Sequence, residues 1–171
     1  MGEKQRKKDT RAPEEVVREK MSRSGVVEQP TPRAQPVGDV LETLQAQAKD
    51  AMPSAVFDDD VTIDRTPLVK RMRSEIGSAE VSAKRREPNV QANVAIEVRC
   101  DRDEQGDGGR YQVCAGAHVG RESKGVLVGA DIPVLIEVND ANGCLKLDSD
   151  QMRDEITNAI RSTDDALKRK Q

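Results

Sequence analysis

The sequence predicts an α+β protein: a four-stranded antiparallel β-meander covered on one face by a C-terminal α-helix, preceded by two short helices and a disordered N-terminal tail. Three observations carry this. Apolar residues alternate strictly from Asn89 onward, they change to three- and four-residue steps after Asp148, and the first 38 residues hold half of the eight prolines. The chain divides accordingly into a tail over 1–38, short amphipathic helices and a charged linker over 39–88, and a ββββα domain over 89–171.

In the third segment Val90, Ala92, Val94, Ile96, Val98 and Cys100 alternate with more polar neighbours, which is the period of a half-buried strand. A Gly-rich polar loop leads to Tyr111, Val113, Ala115, Ala117 and Val119. Pairing Val98 with Val113 and Ile96 with Ala115 puts every apolar side chain on one face; a one-residue slip would put the faces out of step. The third strand spans Val126 to Val138, and Pro133 on the opposite parity removes a ladder donor, so a bend or edge is expected there. Asn139 to Gly143 is a turn cluster that leads into Leu145 and Leu147. Met152, Ile156, Ala159, Ile160, Thr163 and Leu167 then form one helical stripe, capped by Asp148, Ser149 or Asp150, with Lys168, Arg169 and Lys170 at the end favoured by the helix dipole. The opposite sheet face carries Gln91, Asn93, Glu97, Arg99, Gln112 and Glu137, with Leu127 and Leu135 as apolar exceptions.

Ahead of this domain, Val40, Leu41, Leu44 and Ala48 predict a helix from Val37 to Met52 with Asp39 as its N-cap and Pro53 as its stop. A second helix is expected from Asp64 or Thr66, with Pro67 in its first turn, Leu68, Val69, Met72 and Ile76 on one face, and Gly77 as terminator. In the tail, the run from Gln29 to Pro36 cannot be helical, because proline lacks the donor and restricts the residue before it.

Composition removes several function classes. No apolar run of about 18 residues is present to cross a bilayer. The basic start lacks the apolar core of a secretory signal, and Arg6 stands where a myristoylation motif needs Ser or Thr, so a cytoplasmic or intravirion location is expected. Phe57 and Tyr111 are the only aromatic residues, which leaves almost nothing on which bases or sugars could stack.

The candidate chemistry is sparse. Cys100, Cys114 and Cys144 lack metal-site spacing, and His118 lies about 13 Å along a strand from Cys114, too far to share a zinc ion. The loop from Asp101 has acids at positions one and three and Gly106 at six of a calcium loop, but Gln112 stands where a bidentate Glu is needed. Asp58, Asp59, Asp60 and Asp64 read as a solvated acidic turn. There is no phosphate-binding Gly loop, nucleophile elbow or paired-carboxylate motif, so no catalytic residue, cofactor or metal is expected and the protein reads as non-enzymatic.

Two functional expectations remain. The first is a protein-binding or assembly module that acts on a protein partner or on itself as a homo-oligomer, through its sheet face, a strand edge and the N-terminal helices. Its candidate contacts are Leu41, Leu44, Leu68, Met72, Leu127 and Leu135. The second is a nucleic-acid-associated accessory protein whose phosphate contacts are Lys7, Lys8, Lys70, Arg71, Arg73, Lys84, Arg85 and Arg86. Charge balance favours the first: residues 1–88 carry 17 basic and 16 acidic side chains, whereas residues 89–171 carry 11 and 15 and would repel a polyanion.

Overall fold

The computed structural model describes residues 27–31, 35–57, 61–86, 89–105, 108–139 and 144–170. In chain order these form β1 (Val27–Thr31), α1 (Val37–Asp50), α2 (Ser54–Phe57), β2 (Val61–Arg65), β3 (Val69–Arg71), β4 (Ser74–Arg86), β5 (Asn89–Arg102), β6 (Gly109–Ser123), β7 (Val126–Ile132), β8 (Ile136–Asn139), β9 (Cys144–Leu147) and α3 (Ser149–Lys170). The α+β class, the antiparallel sheet and its covering C-terminal helix are as the alternation predicts.

β5 and β6 pair in the register that burial requires, with Val98 opposite Val113, Ile96 opposite Ala115 and Val94 opposite Ala117. All of these side chains are at most 6% exposed. The β6–β7 connection is a two-residue turn, Lys124-Gly125, in which both residues have positive φ. That is the turn whose twist matches antiparallel strands, and Gly125 adopts it at no steric cost. β7 stops at Ile132, just before Pro133, and the chain resumes as β8, which pairs only with β9 in a separate two-stranded sheet. Leu145 and Leu147 therefore reach the core from that hairpin, and Glu137 lies opposite Lys146 on it and is not part of the main sheet's polar face.

Two stretches depart from the sequence reading. Residues 64–77 are not a helix; they form the end of β2, β3 and the start of β4. β4 runs antiparallel to β5 from Ser74 opposite Asp101 to Arg86 opposite Asn89, and it buries Gly77, Ala79, Val81 and Ala83 on the core side. The main sheet consequently has seven strands, in the order β1-β6-β5-β4-β2, with β3 also on β4 and β7 also on β6. The expected tail over 1–38 lies largely outside the described residues, but Val27–Thr31 is a strand on the outer edge of β6. Pro30 is compatible with that place, because an edge strand can spare a donor.

One face of the sheet is covered by two helices side by side. α1 lies over β4 and β5, α3 lies over β6 and β7, and the helices touch each other. α1 buries Val37, Val40, Leu41, Leu44 and Ala48 as its periodicity predicts; its N-cap is Pro36, and Asp39 sits in the first turn, where the dipole still favours an acid. Gln47 ties three elements together: its Oε1 accepts the Leu147 N–H (2.7 Å) and its carbonyl accepts the Ser149 hydroxyl (2.9 Å). α3 buries Met152, Ile156, Ile160 and Leu167, each contributing about 1.5–3 kcal/mol by leaving water. Asp148 caps it by accepting the Gln151 N–H at 3.1 Å. Tyr111, 2% exposed, donates its hydroxyl to the Gln35 carbonyl and fixes the entry into α1.

Candidate interaction surface

The uncovered face of the sheet is lined by polar side chains that largely satisfy one another. Its centre is a transverse row in which Ser82, Asn93, His118 and Asp131 stand opposite one another on β4, β5, β6 and β7. His118 Nδ1 is 2.9 Å from Asp131 Oδ1. The imidazole reaches that position by lying over Gly129: a Cβ there would be 2.7 Å and 2.8 Å from two ring atoms. Gln91 donates to Asn93 Oδ1 at 3.1 Å, and the Ser82 hydroxyl donates to Glu80 Oε1 at 3.3 Å. His118 is thus 17% exposed and partnered.

A histidine oriented by a carboxylate is two-thirds of a nucleophilic triad, so the third group decides. Ser82 is two strands away, about 9.6 Å, and Cys114 is four residues along β6, about 13 Å. Neither is within hydrogen-bond reach. Burial, reinforced by Glu97 on the neighbouring strand, pushes the Cys114 thiol pKa up and disfavours the thiolate. Cys100, in the core, is raised by burial as well. Among the described residues no group of three or more His, Cys, Asp or Glu could hold a metal ion. In the loop that only partly matches a calcium-site pattern, the Asp103 carboxylate accepts the Gly108 N–H at 3.1 Å, a hairpin-closing role. No described helix is long and apolar enough to cross a membrane.

The basic candidates are dispersed. Lys70 and Arg71 are exposed on β3 and Arg73 follows in the turn, while Lys84, Arg85 and Arg86 end β4. Eleven residues of extended chain separate Arg73 from Lys84, about 36 Å, so the two clusters form no single patch. Arg85 also donates to the Val56 carbonyl at 3.2 Å. Lys7 and Lys8 lie outside the described residues.

The apolar candidates separate more informatively. Leu41 and Leu44 are fully buried beneath α1 and are core residues, not contact residues. Leu127 is exposed on β7, and Leu135 lines a shallow cleft with Pro133, Gln151 and Met152 beside α3, so these two do not form one patch. Of the six large hydrophobic residues exposed among the described residues, the other four, Ile63, Leu68, Val69 and Met72, all fall on β2, β3, the link between them or the turn that follows β3. Only Leu68 and Met72 of these belong to the contact set expected from sequence. The sequence assigns Ile63 to no element and places Val69 on the face of a helix that does not form, so neither stands among the expected contacts; Asp58, Asp59 and Asp60 lie outside the described residues.

That edge is a single strand interrupted by a bulge. Arg65 is opposite Ala79 and Val69 is opposite Ile76, four residues against three, with Pro67 in the extra space. Thr66 holds the ladder through the bulge, donating its N–H to the Ser78 carbonyl (3.0 Å) while the two hydroxyls meet at 2.7 Å. Leu68 folds over Gly77, where a Cβ would be 2.6 Å from Leu68 Cδ2 and 3.2 Å from Leu41 Cδ2. Gly77 therefore serves close packing inside a strand and does not end a helix. Ile63, opposite the buried Val81, is on the helix side of the sheet, and Arg65 donates to the Gly38 carbonyl at 3.0 Å.

Compared with known proteins, the chain matches no family model, no curated protein and no solved structure.

Proposed function

We propose that the protein is a non-enzymatic binding or assembly module that engages a protein through the edge formed by β2 and β3. The observation that carries this is the coincidence of an outer sheet edge with four of the six large hydrophobic residues exposed among the described residues. An edge strand offers a row of backbone donors and acceptors on which an added strand can pair, and flanking apolar side chains supply the area that holds it. The uncovered sheet face is a weaker candidate, because its side chains are engaged with one another.

The test compares wild-type protein with an Ile63→Lys, Val69→Lys double variant as bait in extracts of its own source, with captured proteins identified by mass spectrometry. The reading expects specific partners, copies of the chain included, to be lost from the variant while its thermal melt stays within a few degrees of wild type. An identical captured set would overturn it.

A further inference from the structure

We propose that the occupant of this edge is a second copy of the chain, docked about a two-fold axis at Ile63 so that β2 pairs antiparallel with the β2 of its partner. The inference rests on the edge reading above and names the partner. Most closed homo-oligomers use such self-complementary contacts, in which one patch faces itself. In this register Ile63 faces the partner's Ile63, Thr62 faces the partner's Asp64 and Val61 faces the partner's Arg65. No like charges meet. A shift of one residue in one direction centres the pair on Asp64 and sets two carboxylates opposite each other, which is destabilising. A shift the other way brings Asp64 to position 60 of the partner, another aspartate in the sequence. Charge thus selects the register centred on Ile63.

The side chains agree with that choice. Ile63 is 39% exposed on the helix side of the sheet, opposite the buried core residue Val81. Pairing two Ile63 side chains would extend the core of each copy across the axis. The guanidinium of Arg65 is held by its own Gly38 carbonyl, so its charge is engaged within the chain. The row Thr62 to Asp64 supplies a hydroxyl donor opposite a carboxylate acceptor on both sides of the axis, which unrelated extended peptides would match only by chance.

The experiment uses the full chain with Cys114→Ser and Cys144→Ser, leaving Cys100 in the core. Directly opposed residues of an antiparallel pair have Cα atoms about 4.5–5.5 Å apart, within the span of a disulfide. Ile63→Cys is expected to form a disulfide-linked dimer under mild oxidation. Thr62→Cys and Asp64→Cys should not do so singly, but should cross-link when mixed. Sedimentation at a series of concentrations should show a monomer–dimer equilibrium whose dissociation constant rises at least tenfold in Ile63→Lys. A chain that stays monomeric at every concentration, or that dimerises with no cross-link in either arrangement, overturns the proposal. If self-association fails while the double edge variant still loses captured proteins, the edge reading stands without self-pairing; if the captured set is also unchanged, both fall.

Discussion

Gly129→Ala should disrupt the His118–Asp131 pair from a distance of one strand, and the geometry gives its size. A methyl at Gly129 would sit 2.7–2.8 Å from two atoms of the His118 ring, so the imidazole must swing away and release Asp131 Oδ1 at 2.9 Å. A hydrogen bond to a charged group is worth about 1.5–3 kcal/mol net, and the lower end applies because the Asp131 side chain is 48% exposed. Against this, replacing a strand glycine by alanine recovers about 0.5–1 kcal/mol of backbone entropy. The net loss is about 0.5–1 kcal/mol, or roughly 1–4 °C in Tm for a chain of this length. The decisive assay is a double-mutant cycle with His118→Ala, measured by thermal and urea unfolding. Without the ring to displace, Gly129→Ala should become stabilising by about 0.5–1 kcal/mol, so its sign reverses. If Gly129→Ala has the same effect in both backgrounds, the ring is not seated over Gly129 and the derivation is wrong.

The remaining predictions separate core from surface and locate the ends of the fold. Leu44→Ala should cost about 2–5 kcal/mol, because a fully buried side chain leaves a cavity, whereas Leu127→Ala should stay within about 0.5 kcal/mol in the same unfolding assay. The Asp164 carboxyl is held below its ordinary pKa chiefly by its hydrogen bond from Lys168, with Arg121 at 3.3 Å also favouring the charged form. A depressed folded-state pKa stabilises above the ordinary value and is lost as pH falls through the lowered one. The difference in Tm between wild type and Asp164→Asn should therefore be widest at neutral pH and close as pH drops through 3.8 and below; a gap constant with pH would refute the ion pair. Deleting residues 1–36 should lower Tm, since it removes β1 from β6 and leaves the buried Tyr111 hydroxyl without the Gln35 carbonyl, a loss of about 1–3 kcal/mol. An unchanged melt would show that neither contact stabilises the domain.

Legibility in the sequence followed side-chain size. Val90 to Cys100 and Tyr111 to Val119 put an apolar residue at every second position, most of them Val, Ile, Cys or Tyr, so the β5–β6 register could be derived from burial alone, and the stripes of α1 and α3 were equally plain. β4 has the same period, but its inward positions are Gly77, Ala79, Val81 and Ala83, mostly too small to register as apolar against Ser78, Glu80, Ser82 and Lys84. At Gly77 the side chains of Leu68, Leu41 and Val37 leave no room for a Cβ. Over residues 64–77, Pro67 and the spacing of Leu68, Val69, Met72 and Ile76 fit a helix in isolation. The long β4 ladder on β5 prevails over that local preference, as tertiary pairing routinely does over propensity. Without the edge strand, Ile63 and Val69 have no place in the expected contact set. The His118–Asp131 pair was beyond reach for a different reason: it depends on the register of β7, fixed by a two-residue turn at Lys124-Gly125, and on the space left by Gly129.

The central claim, that the β2–β3 edge is the working surface, is tested most directly by photocrosslinking in living cells with a reactive amino acid at Thr62 on the edge and, separately, at Glu122 on the uncovered sheet face. The account predicts protein adducts from position 62, to a second copy or to another chain, and none above background from position 122. Adducts from position 122 with none from position 62 would contradict it.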